Sequence, residues 1–223
     1  MTFNTLTEKE ILMIEKTKSF VKEQLFGEGS GHDYFHVERV YKTALYLAKK
    51  ESADLFIVSL ASLLHDIDDW KFSIDNATNT LNIEKFMSSI NVPDDIIKKV
   101  TSIIKTISFK GGIVSSKQET KEGMVTQDAD RLDAIGAIGI ARTFAFGGSK
   151  NHLLYNPSIP PKDFNSLDEV KFKDNHTINH FYEKLLKLKD LMNTETGKEL
   201  AEKRHKYMED FLKQFYSEWE CKY

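Results

Sequence analysis

A chain of 223 residues, 40% hydrophobic and 29% charged, is long enough to bury a sizeable core and too apolar for wholesale disorder. Its net charge of −3, with both signs well mixed, excludes a surface built to neutralise a phosphate backbone, so no nucleic-acid polymer is expected as partner. The single cysteine, Cys221, excludes an intrachain disulfide and a cysteine-based zinc site.

Apolar residues recur at helical spacing along most of the chain. Thr7-Glu-Lys-Glu10 is a capping-box pattern ahead of Ile11, Ile14, Phe20, Val21 and Leu25, and predicts a first helix ending near Gly27–Gly31. A second helix is expected from about Tyr34 to Lys50. Asp54 reads as the N-cap of a third, Leu55 to about Ile67, apolar enough to be central. Leu81, Phe86, Met87 and Ile90 indicate a fourth. Pro93–Asp94 opens a fifth, whose buried side carries Ile96, Ile97, Val100, Ile103, Ile104 and Ile107. After a loop with Gly111–Gly112, one long helix is expected from about Glu122 to Phe146. Gly147–Lys173 holds three of the four prolines and shows no period. Two last helices, roughly Asn175–Met192 and Glu195–Glu220, complete an all-α fold. The expectation is a single domain over 1–223, with a core at about 31–146 and a C-terminal helical extension at about 174–220 forming a second small lobe.

The N-terminal Met1–Glu8 shows no basic region leading into an apolar run, and no uncharged apolar stretch reaches the ~18 residues a membrane span needs. A soluble, cytoplasmic protein without a membrane partner is expected. Size and apolar content leave a homodimer open.

The chemistry-bearing residues sit where burial is expected. His36 shares the inward stripe of the second helix with Val40, Ala44 and Leu47. In Ser59-Leu-Ala-Ser-Leu-Leu-His-Asp-Ile-Asp-Asp69 an apolar run leads straight into four polar side chains. Burying an ionisable group costs free energy unless it is paired or binds a metal, and imidazole with carboxylate suits a divalent cation that keeps exchangeable water. Three more carboxylates, Asp128, Asp130 and Asp133, lie on the long helix. His32–Asp33 reads as loop and N-cap. The aromatics Phe144, Phe146, Phe181, Tyr182, Phe211, Phe215 and Tyr216 are read as core rather than as a nucleobase box, and His176 and His180 as unconnected to the metal set.

Together these residues resemble the HD-domain superfamily of metal-dependent phosphohydrolases. His36 in Gly31-His-Asp-Tyr-Phe-His-Val-Glu-Arg-Val40, the pair His65–Asp66, and Asp130 in Asp128-Ala-Asp-Arg131 match its three elements. Closer similarity is to small bacterial members with nucleotide pyrophosphohydrolase activity, through His65-Asp-Ile-Asp-Asp-Trp-Lys-Phe72, Ile107-Ser-Phe-Lys-Gly-Gly112, Gln127-Asp-Ala-Asp-Arg-Leu-Asp-Ala-Ile-Gly-Ala137 and His180-Phe-Tyr-Glu-Lys-Leu-Leu-Lys187. The resemblance implies that His36, His65, Asp66 and Asp130 hold the metal, with Asp133 orienting or replacing Asp130. Such a mixed set suits Mn²⁺ or Mg²⁺, then Fe²⁺, Co²⁺ or Ni²⁺, and Zn²⁺ less. It further implies that Asp69, three residues past Asp66, activates the attacking water. An acid in a helix's last turn is otherwise disfavoured by the dipole.

A polyphosphate needs cations. Lys71 follows the acid cluster and is placed with Asp69 in the catalytic set. Lys110 adjoins the Gly pair, Arg39 is one turn from His36, and Lys184, Arg204 and His180 are candidates on the last two helices. The function expected is hydrolysis of a nucleoside triphosphate, NTP or dNTP, to monophosphate and pyrophosphate. The alternatives are a phosphatase or phosphodiesterase acting on another nucleotide, and a non-catalytic nucleotide-binding regulatory module.

Overall fold

The computed structural model describes residues 5–25, 33–67, 80–107, 116–162 and 176–222. Among them are nine α-helices and no strand: α1 (Glu8–Gln24), α2 (Tyr34–Glu51), α3 (Leu55–Leu64), α4 (Leu81–Ser89), α5 (Asp94–Ile107), α6 (Lys121–Asp133), α7 (Gly136–Ser149), α8 (Asn179–Glu183) and α9 (Glu195–Trp219). The chain divides into two compact units, Met1–Asp130 and Arg131–Tyr223.

In the first unit α3 is the hub. Every residue from Phe56 to Leu64 is buried, as a helix apolar on all sides must be, and α1, α2 and α5 all pack on it. Ile14 and Val21 of α1, Val37 of α2, Ile83 and Met87 of α4, and Val100 and Ile104 of α5 join Leu60, Leu63 and Leu64 in one core. Phe20 and Phe86 stack at 3.9 Å to tie α1 to α4.

Local signals start these helices. Thr7 and Glu10 form the reciprocal capping box of α1, the Thr7 amide donating to Glu10 at 2.7 Å. Asp54 accepts from the amides of Phe56 and Ile57 at 2.9 and 3.1 Å, satisfying two donors that have no partner within α3. Asp33 caps α2 by accepting from the His36 amide at 2.8 Å.

In the second unit α7 packs on α9, and Phe144, Phe181 and Phe211 meet with ring centroids 5.8–6.1 Å apart. Tyr155 adds edge contacts to His176, Phe215, Tyr216 and Trp219. Burial and the Tyr182 hydroxyl push the Tyr216 phenol well above its ordinary value. Phe181 is fully buried, while Phe146 is 43% exposed and takes no part in a core.

Three boundaries differ from expectation. The helix expected over 122–146 is two helices. Ala134 and Ile135 donate to carbonyls only three residues back, and Gly136 turns to φ +75°, ending α6 and starting α7. α3 stops at Leu64, with His65 as its C-cap. The expected helix 175–192 is the single turn and a half of α8 followed by 3₁₀ turns at Leu185–Lys187 and Lys189–Leu191, because Lys184 leaves helical geometry at φ −138°, ψ −59°.

Candidate metal centre

Four side chains from three elements of the first unit converge. His36 comes from the first turn of α2, His65 and Asp66 from the end of α3, and Asp130 from α6. The two imidazole Nε2 atoms are 3.3 Å apart. Asp66 reaches them at 3.2 Å from His36 and 3.5 Å from His65, while Asp130 Oδ1 stands 3.5 and 3.6 Å away. His36 is fully buried and His65 and Asp66 nearly so, whereas the Asp130 side chain is 28% exposed.

The local fold explains how each ligand is aimed. α3 ends at His65, so carbonyls of its last turn lack helical partners. His65 Nδ1 donates to one of them, Ser62, at 2.9 Å, which orients the ring and presents Nε2 to the cluster. The Asp33 cap fixes the backbone of His36 in the same way.

The electrostatics are those of a cation site. Burial opposes a charge on His65, but Asp66, the hydrogen bond and charge of Asp130, and the Ser62 carbonyl together push its pKa up to about 9. Around Asp130 the surrounding protein also opposes charge. The hydrogen bond and charge of His65, with His36, nevertheless hold its carboxyl well below the usual range. Positive charge is thus strongly favoured at the point where the four side chains meet.

The residues fit a divalent ion. His36, His65 and Asp66 offer ligand atoms all within 4.8 Å of one another. Adjacent ligands of an octahedral ion at about 2.1 Å lie about 3.0 Å apart, a few tenths of an ångström inside the separations seen here.

The remaining candidates are distributed as follows. Arg39 is half-buried on α2, three residues past His36. Asp128 is fully buried. Asp133 accepts from Arg142 at 3.0 Å within the second unit. Arg204 donates to the Leu132 carbonyl there, and burial lowers its pKa against the pull of Asp133. His180 and Lys184, both half-buried, belong to that unit as well. His176 accepts at Nδ1 from the Asn179 amide and donates at Nε2 to the Ile159 carbonyl at 3.0 Å, so it holds the fold together. Asp69, Lys71, Lys110, His32, Asp68 and the Gly111–Gly112 pair lie outside the described residues.

Sequence reasoning missed the buried amide of Gln127, which donates to Ser116 and Ile107, and the salt bridge that occupies Asp133. Neither has a local signature, since the partners lie 9–20 residues away.

Comparison with known proteins agrees with the site. The HD domain profile matches residues 33–135. The chain is 41% identical over 207 residues to the uncharacterized protein YpgQ of Bacillus subtilis, covering 92% of this chain and 93% of that one. The crystal structure of YpgQ in complex with ADP superposes with a TM-score of 0.73 at 36% identity, covering 92% and 97%. An HD-superfamily hydrolase from Bacillus thuringiensis gives 0.75 at 44% identity, covering 96% and 100%. A Lactobacillus plantarum structure gives 0.84 at 35% identity, covering 97% and 100%. The chain belongs to the HD-domain superfamily of hydrolases, whose domains bind divalent metals. No helix among the described residues is long and apolar enough to cross a membrane.

Proposed function

We propose that this protein is a metal-dependent nucleotide phosphohydrolase, converting an NTP or dNTP to the monophosphate and pyrophosphate. The observation that carries the reading is the convergence of His36, His65, Asp66 and Asp130 within 3.2–3.6 Å in a partly open site. The ADP bound to the YpgQ relative supports a nucleotide as ligand.

The four side chains would hold the ion, Mn²⁺ or Mg²⁺ by the mixed nitrogen and oxygen donor set. When bound, such an ion lowers the pKa of water and polarises a phosphoryl oxygen. His65 serves through Nε2, its tautomer set by Ser62. Asp69 takes the proton of the attacking water as that oxygen bonds to the α-phosphorus. The bond to the bridging oxygen breaks, and pyrophosphate departs with the electron pair. Lys71 neutralises the charge that collects on the leaving group. Arg39 and Lys110 supply cations to the rest of the triphosphate.

The test is elemental analysis of the purified protein joined to hydrolysis of a nucleotide panel with Mn²⁺, products separated by phosphorus NMR. Pyrophosphate release from a triphosphate is expected, and Asp69→Asn should lose turnover while keeping its metal. Orthophosphate release instead indicates a phosphatase. Metal-loaded protein that binds nucleotide without releasing either product would defeat the catalytic reading.

A further inference from the structure

The Asp130 helix must be held in register separately from the other ligands. His36 and His65–Asp66 come from α2 and α3, which pack directly on each other, whereas α6 enters from a distant part of the sequence. At its first turn, Glu122 accepts from the Asp54 amide at 3.0 Å, tying that end of α6 to the cap of α3. The turn that carries the ligand is tied elsewhere.

Gln127 lies three residues before Asp130 and is fully buried. Its side-chain amide donates to the carbonyls of Ser116 at 2.7 Å and Ile107 at 3.1 Å, with a longer approach to Thr106 at 3.4 Å. Thr106 and Ile107 end α5, where backbone carbonyls have no partner within the helix. Moving α6 by one residue shifts it about 1.5 Å and turns it about 100°. That slip would strip these carbonyls of their donor, and a buried carbonyl left unpaired is costly. The same slip would take Asp130 Oδ1 from its place 3.5 and 3.6 Å from the two imidazoles.

We propose that Gln127 is a positioning residue for the metal site, locking the register of α6 against the end of α5 so that Asp130 meets His36, His65 and Asp66. The inference rests on Asp130 being a ligand, as in the function proposed above.

Gln118 is a matched control. It is 3% exposed, and its amide donates to the Ile103 carbonyl at 3.4 Å and the Thr106 hydroxyl at 3.0 Å. It therefore binds the same end of α5 from outside α6. The experiment is Mn²⁺ titration of metal-stripped full-length protein by calorimetry, with thermal melting of each metal-stripped variant. Gln127→Met and Gln118→Met are both expected to lower the melting temperature. Only Gln127→Met should also weaken Mn²⁺ binding, by about 10-fold or more, the scale seen when residues orienting a ligand are lost. Gln127→Asn keeps the amide but draws it back by one methylene. It should fall between, and it carries the test if the Met variant does not fold. Unchanged Mn²⁺ affinity in a folded Gln127 variant overturns the proposal, as does equal weakening in Gln118→Met. Wild-type protein that binds no divalent ion overturns the metal reading itself, and this inference with it.

Discussion

Asp33 joins helix capping to the candidate chemistry, because the amide it accepts from belongs to His36. Asp33→Ala is expected to cost about 1 kcal/mol of stability, read as a lower urea midpoint at unchanged slope, and Asp33→Ser should recover most of it. His65 gives a pH signature. Its folded pKa of about 9 lies above the ordinary 6.5, so in metal-stripped protein its contribution to stability is complete below pH 6.5 and is lost as pH rises through about 9. A metal competes with that proton for the same nitrogen. Mn²⁺ affinity should therefore rise across this window with proton release, seen as a buffer-dependent heat of binding. Affinity that stays flat from pH 6.5 to 9 would contradict the assignment of His65. These roles were partly legible in the residues themselves. An imidazole on an inward stripe and a His-Asp pair after an apolar run announce themselves through the cost of burying them, and Asp33 announces itself as a cap.

Among the elements, the helices that carry their own signals behaved as their patterns predict. The α1 capping box, the Asp54 cap of α3 and the isoleucine face of α5 each depend on residues within a few positions of one another. The break between α6 and α7 does not. Apolar spacing continues through Leu132, Ile135 and Ile138, so periodicity alone reads one helix where the structure has two. Gly136 is the pivot: at φ +75° a Cβ is disfavoured, and it would also meet Arg204 side-chain carbons at 3.0 Å. Gly136→Ala should destabilise the protein by about 1–2 kcal/mol from the left-handed backbone alone, measured by urea unfolding. A neutral result would show that the junction relaxes freely. The expected helix at 175–192 breaks with still less local signal, since Lys184 departs from helical angles without any glycine or proline to mark the place.

For the whole molecule, the candidate ion would tie α2, α3 and α6 of the first unit together, so metal and folding should be linked. Mn²⁺ at 100 times its dissociation constant should raise stability by about 2.7 kcal/mol, seen as a higher unfolding temperature that a chelator reverses and that His36→Ala abolishes. An unfolding temperature indifferent to both Mn²⁺ and chelator would argue against a shared ion. The all-helical class, the central place of α3 and the identities of His36, His65 and Asp66 could be read from the chain, because periodicity and burial cost are properties of short stretches. The sharing of roles among Asp128, Asp130 and Asp133 could not be read from spacing, and only the family resemblance singled out Asp130. Each residue turns a helix by about 100°, so three acids within six positions face different ways, and only the surrounding packing decides what each one meets. Tertiary structure brings Asp130 to the imidazoles, gives Asp133 to Arg142 and seats Gln127 beneath the end of α5, contacts between residues far apart in the chain that no local pattern encodes.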